Sequence, residues 1–381
     1  MNKIGFLFYG RLEVEKGFDS ILQMIEIFGN NNQDLPFDLY IFGKGKLESD
    51  LIKLTHKYNS IHFFGRQTLD YIKQYLPKVQ YLLMPSSFLE TFGLSALNSL
   101  SRGLPVIGFA KGGLAQFILP AFDLTNTNGF DTAWKLHNMI NKLVQNPPKL
   151  NPKTFQEISD QYSKEIWFQN FKKIFGSGKK ILMLSDFKSK IGGIETYIYD
   201  VKDLLESKGY EIQVLGCELS SNRFAKFFKY LGILLALVNI SNYFKIQKAI
   251  KEFNPDILRY HSTLRWIGRL GISASKKFKG KKIVMYHDFG YFYPFPHSLH
   301  FVDQIKTPLT LINYIKSAKT NNPIKILAIS FKYLSVSLIK KSLKKYMDKH
   351  LSPSEFMLDI ISNSYQLTKK KIKAFPHFIQ E

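Results

Sequence analysis

The stretch Leu83–Ile118 constrains the fold most; its sequence is LMPSSFLETFGLSALNSLSRGLPVIGFAKGGLAQFI. It begins as the end of an apolar strand, and a polar loop follows. Phe92–Arg102 carries leucines near helical spacing, and Pro105–Phe109 is a short apolar strand before a Gly-Gly loop. Glu90 therefore stands between a strand and a helix, where ligands bind in open parallel α/β sheets. A carboxylate that only complements the helix dipole is the alternative interpretation.

The same alternation of strands and helices runs through the whole chain. Ile4–Tyr9 is an apolar strand followed by an amphipathic helix, and a helical pattern over Pro152–Ile174 closes the first series. Gly176–Gly178 reads as a short flexible joint, after which a second series begins. Repeated β–α units of this length predict parallel sheets with helices on both faces. We therefore expect an α/β protein of two lobes, residues 1–175 and 179–381.

Two cations stand at the first strand–helix junction. Arg11 and Lys16 lie in the sequence GRLEVEKG, between the strand that ends at Tyr9 and the helix that follows Gly17. Unpaired amides at a helix start favour an anion, and the two cations would add to that preference. Solvated surface charges are the alternative interpretation.

These segments resemble the signature of family 4 glycosyltransferases, which have the GT-B fold. The resemblance rests on five segments: Gly10–Gly17, Pro85–Ser86, Glu90–Leu94, Gly103–Ile107 and Gly112–Gly113. It implies two Rossmann-like parallel-sheet lobes facing a cleft, a diphosphate clamp at Arg11 and Lys16, and a Glu90 that faces the donor sugar. The implied reaction retains the anomeric configuration.

The resemblance also implies which residues would hold the donor, a nucleotide-diphosphate sugar such as a UDP- or GDP-sugar. Some would act through main-chain atoms and some through side chains. The implied set is Gly10, Arg11, Lys16, Gly43, Gly65, Arg66, Glu90, Phe92, Gly93, Leu94, Asn98, Gly192 and Gly193. The implied catalytic residues are Glu90, His287, Arg11 and Lys16.

Two positions depart from the family pattern. Asn98 stands where a second glutamate is expected, eight positions after Glu90, and Gln116 replaces a further glutamate. Asn98 loses a charge-assisted pair with the ribose, at a cost of about 1–3 kcal/mol. The sequence leaves open whether the two changes weaken donor binding or leave a protein that binds without turnover.

The lobes stand in the reverse of the family's order. The segment from Lys180 through Gly192 and Gly193 resembles the start of a family enzyme, and Lys371–Phe378 resembles its link to the carboxyl-terminal lobe. This implies a circular permutation, or an equivalent fusion of two half-genes. Residues 1–175 would then bind the donor, and residues 179–381 would bind the acceptor.

His287 follows a predicted strand in the second half, beside Asp288. The family places a histidine in the active cleft after this strand, so we favour His287 over His261 for a role at the acceptor. A satisfied structural histidine is the alternative interpretation.

Metal-site patterns are missing from the sequence. No two aspartates stand two positions apart, and no His/Cys cluster has metal-ligand spacing. Charge on the leaving diphosphate would then be stabilised by Arg11, Lys16 and helix amides. We expect a metal-independent enzyme without a cofactor.

The net charge of +23 is concentrated in the second half. Residues 1–176 hold 19 Lys/Arg and 15 Asp/Glu, whereas residues 177–381 hold 34 and 15. The second half therefore has an anionic partner, and an anionic membrane fits better than nucleic acid because no aromatic-basic recognition motif is present. Phe224–Phe244 is either a buried helix or an interfacial one.

Together these features predict a glycosyltransferase at the cytoplasmic face of the membrane. It would move a hexose from a nucleotide sugar to a glycan or lipid-linked acceptor in bacterial surface polysaccharide synthesis. A single cysteine, Cys217, and an amino terminus that reads as a strand agree with a reducing compartment. A catalytically impaired homologue that binds nucleotide sugar or glycan is the alternative.

Overall fold

Two parallel sheets organise the chain, each in its own unit. The structure, a computed structural model, describes residues 3–29, 34–189, 193–218, 240–293, 310–317 and 320–380. Every strand pairing among these residues is parallel. This confirms the predicted fold class, two Rossmann-like α/β lobes.

The first unit contains a five-stranded sheet with the order β3-β2-β1-β4-β5. Its strands are β1 Ile4–Tyr9, β2 Phe37–Phe42, β3 Ile61–Phe63, β4 Tyr81–Met84 and β5 Val106–Gly108. Its helices are α1 Phe18–Phe28, α2 Glu48–Lys57, α3 Leu69–Lys73, α4 Leu94–Leu100, α5 Thr132–Gln145 and α6 Pro152–Gln161.

The central strand shows why this sheet forms. β1 reads IGFLFY, and its Phe6, Leu7 and Phe8 are all buried. Such a continuous apolar run suits a strand that is covered on both faces. The amphipathic α1 covers one face, where the ring of Phe18 lies 4.9 Å from that of Phe8.

The second unit contains a six-stranded sheet with the order β11-β10-β9-β8-β6-β7. Its strands are β6 Lys180–Phe187, β7 Glu211–Cys217, β8 Ile257–Tyr260, β9 Lys281–Met285, β10 Lys349–Ser352 and β11 Ile372–Ala374. Its described helices are α7 Lys164–Phe175, α8 Gly193–Ser207, α9 Ile240–Phe253, α10 Gly268–Ser273, α11 Leu311–Lys316, α12 Pro323–Tyr346 and α13 Glu355–Tyr365.

The boundary between the units differs from the expected one. The first unit ends at Ser163 and the second begins at Lys164, so the helical pattern over Pro152–Ile174 is two helices that belong to different cores. α7 joins the second core because Trp167 and Phe171 are buried there. Gly176–Gly178 therefore lies inside the second unit.

The membrane-interface prediction for Phe224–Phe244 falls mostly outside the described residues. Only its last residues belong to a described element, α9, where Phe244 is 61% exposed. No helix in the described parts of the chain is long and apolar enough to cross a membrane.

We expect Trp167→Ala to destabilise the second unit by about 3–5 kcal/mol, because it empties a core site. The Trp167 ring lies 4.9 Å from that of Phe375 and 5.2 Å from that of Phe378. Native-state hydrogen exchange should show faster exchange in residues 164–380 and unchanged exchange in residues 3–163. Ile166→Ala on the same helix is the control, since Ile166 is exposed. Faster exchange in the first unit would contradict the boundary.

Candidate functional site

The loops after β1 and β4 meet where the strand order of the first sheet reverses. β1 pairs with β2 on one side and with β4 on the other. The chain runs outward from β1 to β3 and then returns to β4. Ligands of open α/β sheets bind outside the carboxyl ends of strands at such a point.

Lys16 and Glu90 form an ion pair at this point. The Lys16 Nζ donates to Glu90 Oε1 at 2.7 Å, and the two side chains are 22% and 12% exposed. Ser86 Oγ donates to the same oxygen at 3.0 Å, and the ring of Phe88 lies 4.8 Å from the Lys16 ammonium. The structure thus joins the two predicted residues into one partly buried polar group.

Main-chain contacts hold the two loops together beneath this pair. Gly17 has φ +71°, and a Cβ there would stand 2.1 Å from the carbonyl oxygen of Pro85. Ser87 N donates to the carbonyl of Glu15 at 3.1 Å, and Gly113 N donates to the carbonyl of Glu90 at 2.8 Å. The positions of Lys16 and Glu90 are therefore fixed by backbone packing.

Arg11 lies in the same loop as Lys16 but pairs with a different carboxylate. Its Nη1 donates to Glu15 Oε1 at 2.8 Å, and its side chain is 50% exposed. Arg11 is thus accessible to a ligand, and its role in a diphosphate clamp stays a prediction.

The predicted glycines mark the carboxyl ends of three neighbouring strands. A Cβ on Gly43 would stand 1.9 Å from the carbonyl oxygen of Gly10, and Gly43 N donates to the carbonyl of Gly65 at 2.8 Å. The structure brings these three residues together, with main-chain atoms in close contact. Arg66, which follows Gly65, is exposed.

α4 is shorter than the predicted helix and carries the next part of the motif. It begins after Gly93, which has φ +101°, and Leu94 is its first residue. Phe92 is buried with its ring 5.1 Å from that of Phe117. Phe92 therefore anchors the helix start in the core.

Asn98 is 3% exposed on α4. Its carbonyl accepts from Arg102 Nη1 at 2.6 Å, and the residue lines a small pocket with Tyr9, Lys73 and Arg102. Gln116 binds within its own lobe: Nε2 donates to the carbonyl of Gly113 at 2.8 Å and Oε1 accepts from Tyr162 at 3.1 Å.

Two polar residues of this site received no role in the sequence analysis. Ser86 binds Glu90 directly, and its place in the matched segment Pro85–Ser86 was the signal that could have given it a role. Lys111 donates to the carbonyl of Ser87 at 2.9 Å, and burial lowers its pKa. An ordinary lysine before a Gly-Gly pair carries no such signal.

His287 lies two residues past β9, in a stack of three buried histidines. The rings of His261 and His377 lie 5.2 Å and 5.7 Å from that of His287 and nearly parallel to it. His261 Nδ1 and His287 Nε2 are 2.9 Å apart, so one of them donates to the other. Both histidines weighed from the sequence therefore belong to one cluster. Burial, the Arg259 guanidinium and His377 hold the pKa of both His261 and His287 well below its usual value.

Arg259 is the charged residue beneath this cluster. It is fully buried on β8, and its Nη2 donates to Tyr197 Oη at 3.2 Å. Its guanidinium carbon lies 5.3–5.8 Å from four aromatic ring centres, those of Trp167, Phe175, Tyr197 and Phe375. Its Nε and Nη1 find no hydrogen-bond partner within the described residues. A single arginine in an apolar strand was the available sequence signal.

The loop after β8 is held by a buried carboxylate of β6. Asp186 accepts from Ser262 Oγ at 3.0 Å, and from the main-chain amides of Arg265 and Ile267 at 2.9 Å each. Gly193 begins α8, and no atom of the described residues lies within 4 Å of a Cβ there; Gly192 lies outside those residues. Asp288 caps a turn by accepting from Gly290 N at 2.6 Å.

Groups of three or more His, Cys, Asp or Glu residues able to hold a metal ion do not occur among the described residues.

We expect Gly17→Ala to lower the melting temperature of the first unit more than Gly103→Ala does. Both glycines have positive φ, which costs an alanine about 1–2 kcal/mol. Gly17 faces a neighbouring loop, whereas no atom of the described residues lies within 4 Å of a Cβ on Gly103. Calorimetry measures the two melting temperatures, and their difference reports the cost of a Cβ where the two loops approach closely. Equal drops in melting temperature would contradict it.

We expect the second unit to lose stability as the pH falls below about 6.5. Burial lowers the pKa of His350 and of His377 to about 3, so both are neutral when folded and gain protons only on unfolding. At pH 5.5 each costs about 1 kcal/mol of unfolding free energy. Thermal melts at pH 7.5 and 5.5 should show a smaller pH effect in His350→Gln. His56→Gln, at an exposed position of α2, is the control and should leave it unchanged.

Comparisons with known proteins agree with the arrangement of two lobes. The family described as Glycosyl transferases group 1 matches residues 1–157. An uncharacterized glycosyltransferase of Methanocaldococcus jannaschii is 25% identical over 174 residues, which are 44% of this chain and 47% of that protein. The UDP-N-acetylglucosamine–peptide N-acetylglucosaminyltransferase GtfA subunit of Streptococcus parasanguinis is 34% identical over 101 residues. These residues are 26% of this chain and 19% of that protein. The matches span less than half of each relative's length.

Solved structures of glycosyltransferases also resemble the chain. The pneumococcal O-GlcNAc transferase GtfA, in complex with UDP and GlcNAc, has a TM-score of 0.37 at 20% identity, over 46% of this chain and 37% of that one. The lipopolysaccharide outer core galactosyltransferase WaaB has a TM-score of 0.36 at 21% identity, over 45% of this chain and 49% of that one.

The family described as Glycosyltransferase Family 4 matches residues 191–381, half of the chain. The chain therefore belongs to glycosyltransferase family 4.

Proposed function

We propose that the chain is a retaining, metal-independent glycosyltransferase that moves a hexose from a UDP- or GDP-sugar to a glycan or lipid-linked acceptor. The ion pair of Lys16 with Glu90 carries this proposal. It lies at the switch point of the first sheet, within the segment that the group 1 family matches.

The chemistry of the pair fits the departure of a nucleoside diphosphate. The Lys16 ammonium has three N–H donors, so it can keep Glu90 and still bind a phosphate oxygen. Arg11, half exposed in the same loop, would bind a second oxygen through its planar guanidinium. Glu90, with one oxygen held by Lys16 and Ser86, keeps the other for a hydroxyl of the donor sugar.

The lobes divide the work in this proposal. Residues 1–163 bind the donor, and the second unit, with His287 and Gly193, binds the acceptor. The group 1 match precedes the family 4 match along the chain, which supports the reversed lobe order and a circular permutation. The positive charge of the second half supports a place at the inner face of the membrane, in the synthesis of a surface polysaccharide.

We expect a thermal-shift screen of nucleotide sugars to identify one donor, because a ligand that binds the folded state raises the melting temperature. The shift should persist in EDTA and weaken by about tenfold in apparent affinity in Arg11→Ala, which removes a charged hydrogen bond. Glu90→Gln should abolish donor hydrolysis and transfer while keeping a shift. Glu157→Gln, an exposed carboxylate of α6, is the matched control.

The screen also tests the impaired homologue. If a nucleotide sugar raises the melting temperature of the unmodified chain but is neither hydrolysed nor transferred, the chain is a protein that binds nucleotide sugar without turnover. No shift with any donor at millimolar concentration would overturn the proposal and assign the loss to Asn98 and Gln116.

A further inference from the structure

The first half of α12 presents a row of exposed apolar side chains. Ile324, Leu327, Phe331 and Leu334 are 77%, 59%, 38% and 48% exposed. Their spacing of three and four residues places them on one face of the helix. Single exposed apolar residues are ordinary, but a contiguous row indicates a contact surface.

A second helix, which packs against the first, also exposes apolar side chains. α11 packs against α12, with the ring of Tyr314 5.3 Å from that of Tyr333. It exposes Leu311 and Ile312, the latter at 64%. The neighbouring helix therefore also has exposed apolar residues.

Lysines continue the same face along the second half of α12. Lys341 and Lys345 follow Leu334 by seven and eleven residues, which returns them to the side of the apolar row. Both are exposed, while Ile339 and Leu343 on the opposite side are buried in the second unit. Residues 310–346 contain eight lysines and no acidic residue.

We propose that this face, the apolar docking row Ile324–Leu334 with Lys341 and Lys345, docks onto an anionic phospholipid bilayer. Apolar side chains would enter the headgroup boundary, and the lysines would meet lipid phosphates. A nucleic acid would match the lysines but not the apolar row. Because six of its 24 residues are lysines, α12 would lie on the bilayer and would not span it.

This inference deepens the proposed function, on which it rests for one reason only: a lipid-linked acceptor is presented at such a surface. Vesicle binding itself needs no donor and no turnover. The two proposals therefore fail separately in the experiment below.

Vesicle flotation of the full chain tests the surface. One set of vesicles is made of phosphatidylcholine alone. In the other set, about a third of the lipid is phosphatidylglycerol, and both sets are used at low and at high salt. We expect the unmodified chain to prefer the anionic vesicles by about tenfold or more, and the preference to shrink at high salt. Ile324→Ser/Leu327→Ser should lose most binding to both vesicles. Lys341→Gln/Lys345→Gln should lose about tenfold of the anionic preference.

Matched controls come from the first unit. Ile52→Ser/Phe130→Ser removes exposed apolar side chains, with Phe130 97% exposed, and Lys53→Gln/Lys153→Gln removes two exposed charges. Both should bind vesicles as the unmodified chain does. Equal melting temperatures would show that all variants are folded.

Three results would overturn the docking surface. One is vesicle binding by both α12 variants at the level of the unmodified chain. Another is no preference for anionic vesicles. The third is a dimer in solution that Ile324→Ser/Leu327→Ser splits, which would assign the face to a second copy. If a donor raises the melting temperature of the chain but the chain does not bind vesicles, only the docking surface is overturned. If the chain binds vesicles but no donor changes its melting temperature, only the proposed transferase activity is overturned.

Discussion

Main-chain packing at the carboxyl edge of the first sheet determines where its polar side chains stand. The loops after β1, β2 and β4 approach so closely that a Cβ on Gly43, Gly17 or Gly45 would stand 1.9–2.3 Å from a carbonyl oxygen of a neighbouring loop. Real side chains do not tolerate such distances, so these positions require glycine. This packing sets the distance between Lys16 and Glu90. The ion pair is therefore a property of the backbone as much as of the two charges.

The second unit solves a different electrostatic problem. Its sheet buries the Arg259 guanidinium among aromatic rings, and within the described residues its one hydrogen-bond partner is the neutral Tyr197. An unpaired buried cation is costly, and contact with ring faces offsets part of that cost. The same charge disfavours protonation of His261 and His287, whose pKa it helps to lower. The histidine stack and the arginine therefore form one electrostatic unit.

Much of the fold could be predicted because hydrophobic periodicity is a local property. The predicted strand Ile4–Tyr9 agrees with β1 to the residue. The pattern over Pro152–Ile174 gave the wrong boundary between the lobes. Apolar spacing indicates which face of a helix is buried, but it does not indicate against which core that face packs. In the site, motif order could place Lys16 and Glu90 at neighbouring strand ends. The pairing of Arg11 with Glu15 depends on side-chain rotamers, which the motif does not encode. The stack of His261, His287 and His377 depends on tertiary register that no local pattern encodes.

The change of core between α6 and α7 has a consequence for limited proteolysis. Only Tyr162 and Ser163 separate the two helices, and Tyr162 is itself buried and bonded to Gln116. A protease needs several residues of extended, accessible chain, which this joint lacks. Cleavage there would first require that α6 or α7 unravel, so its rate would report the local stability of those helices.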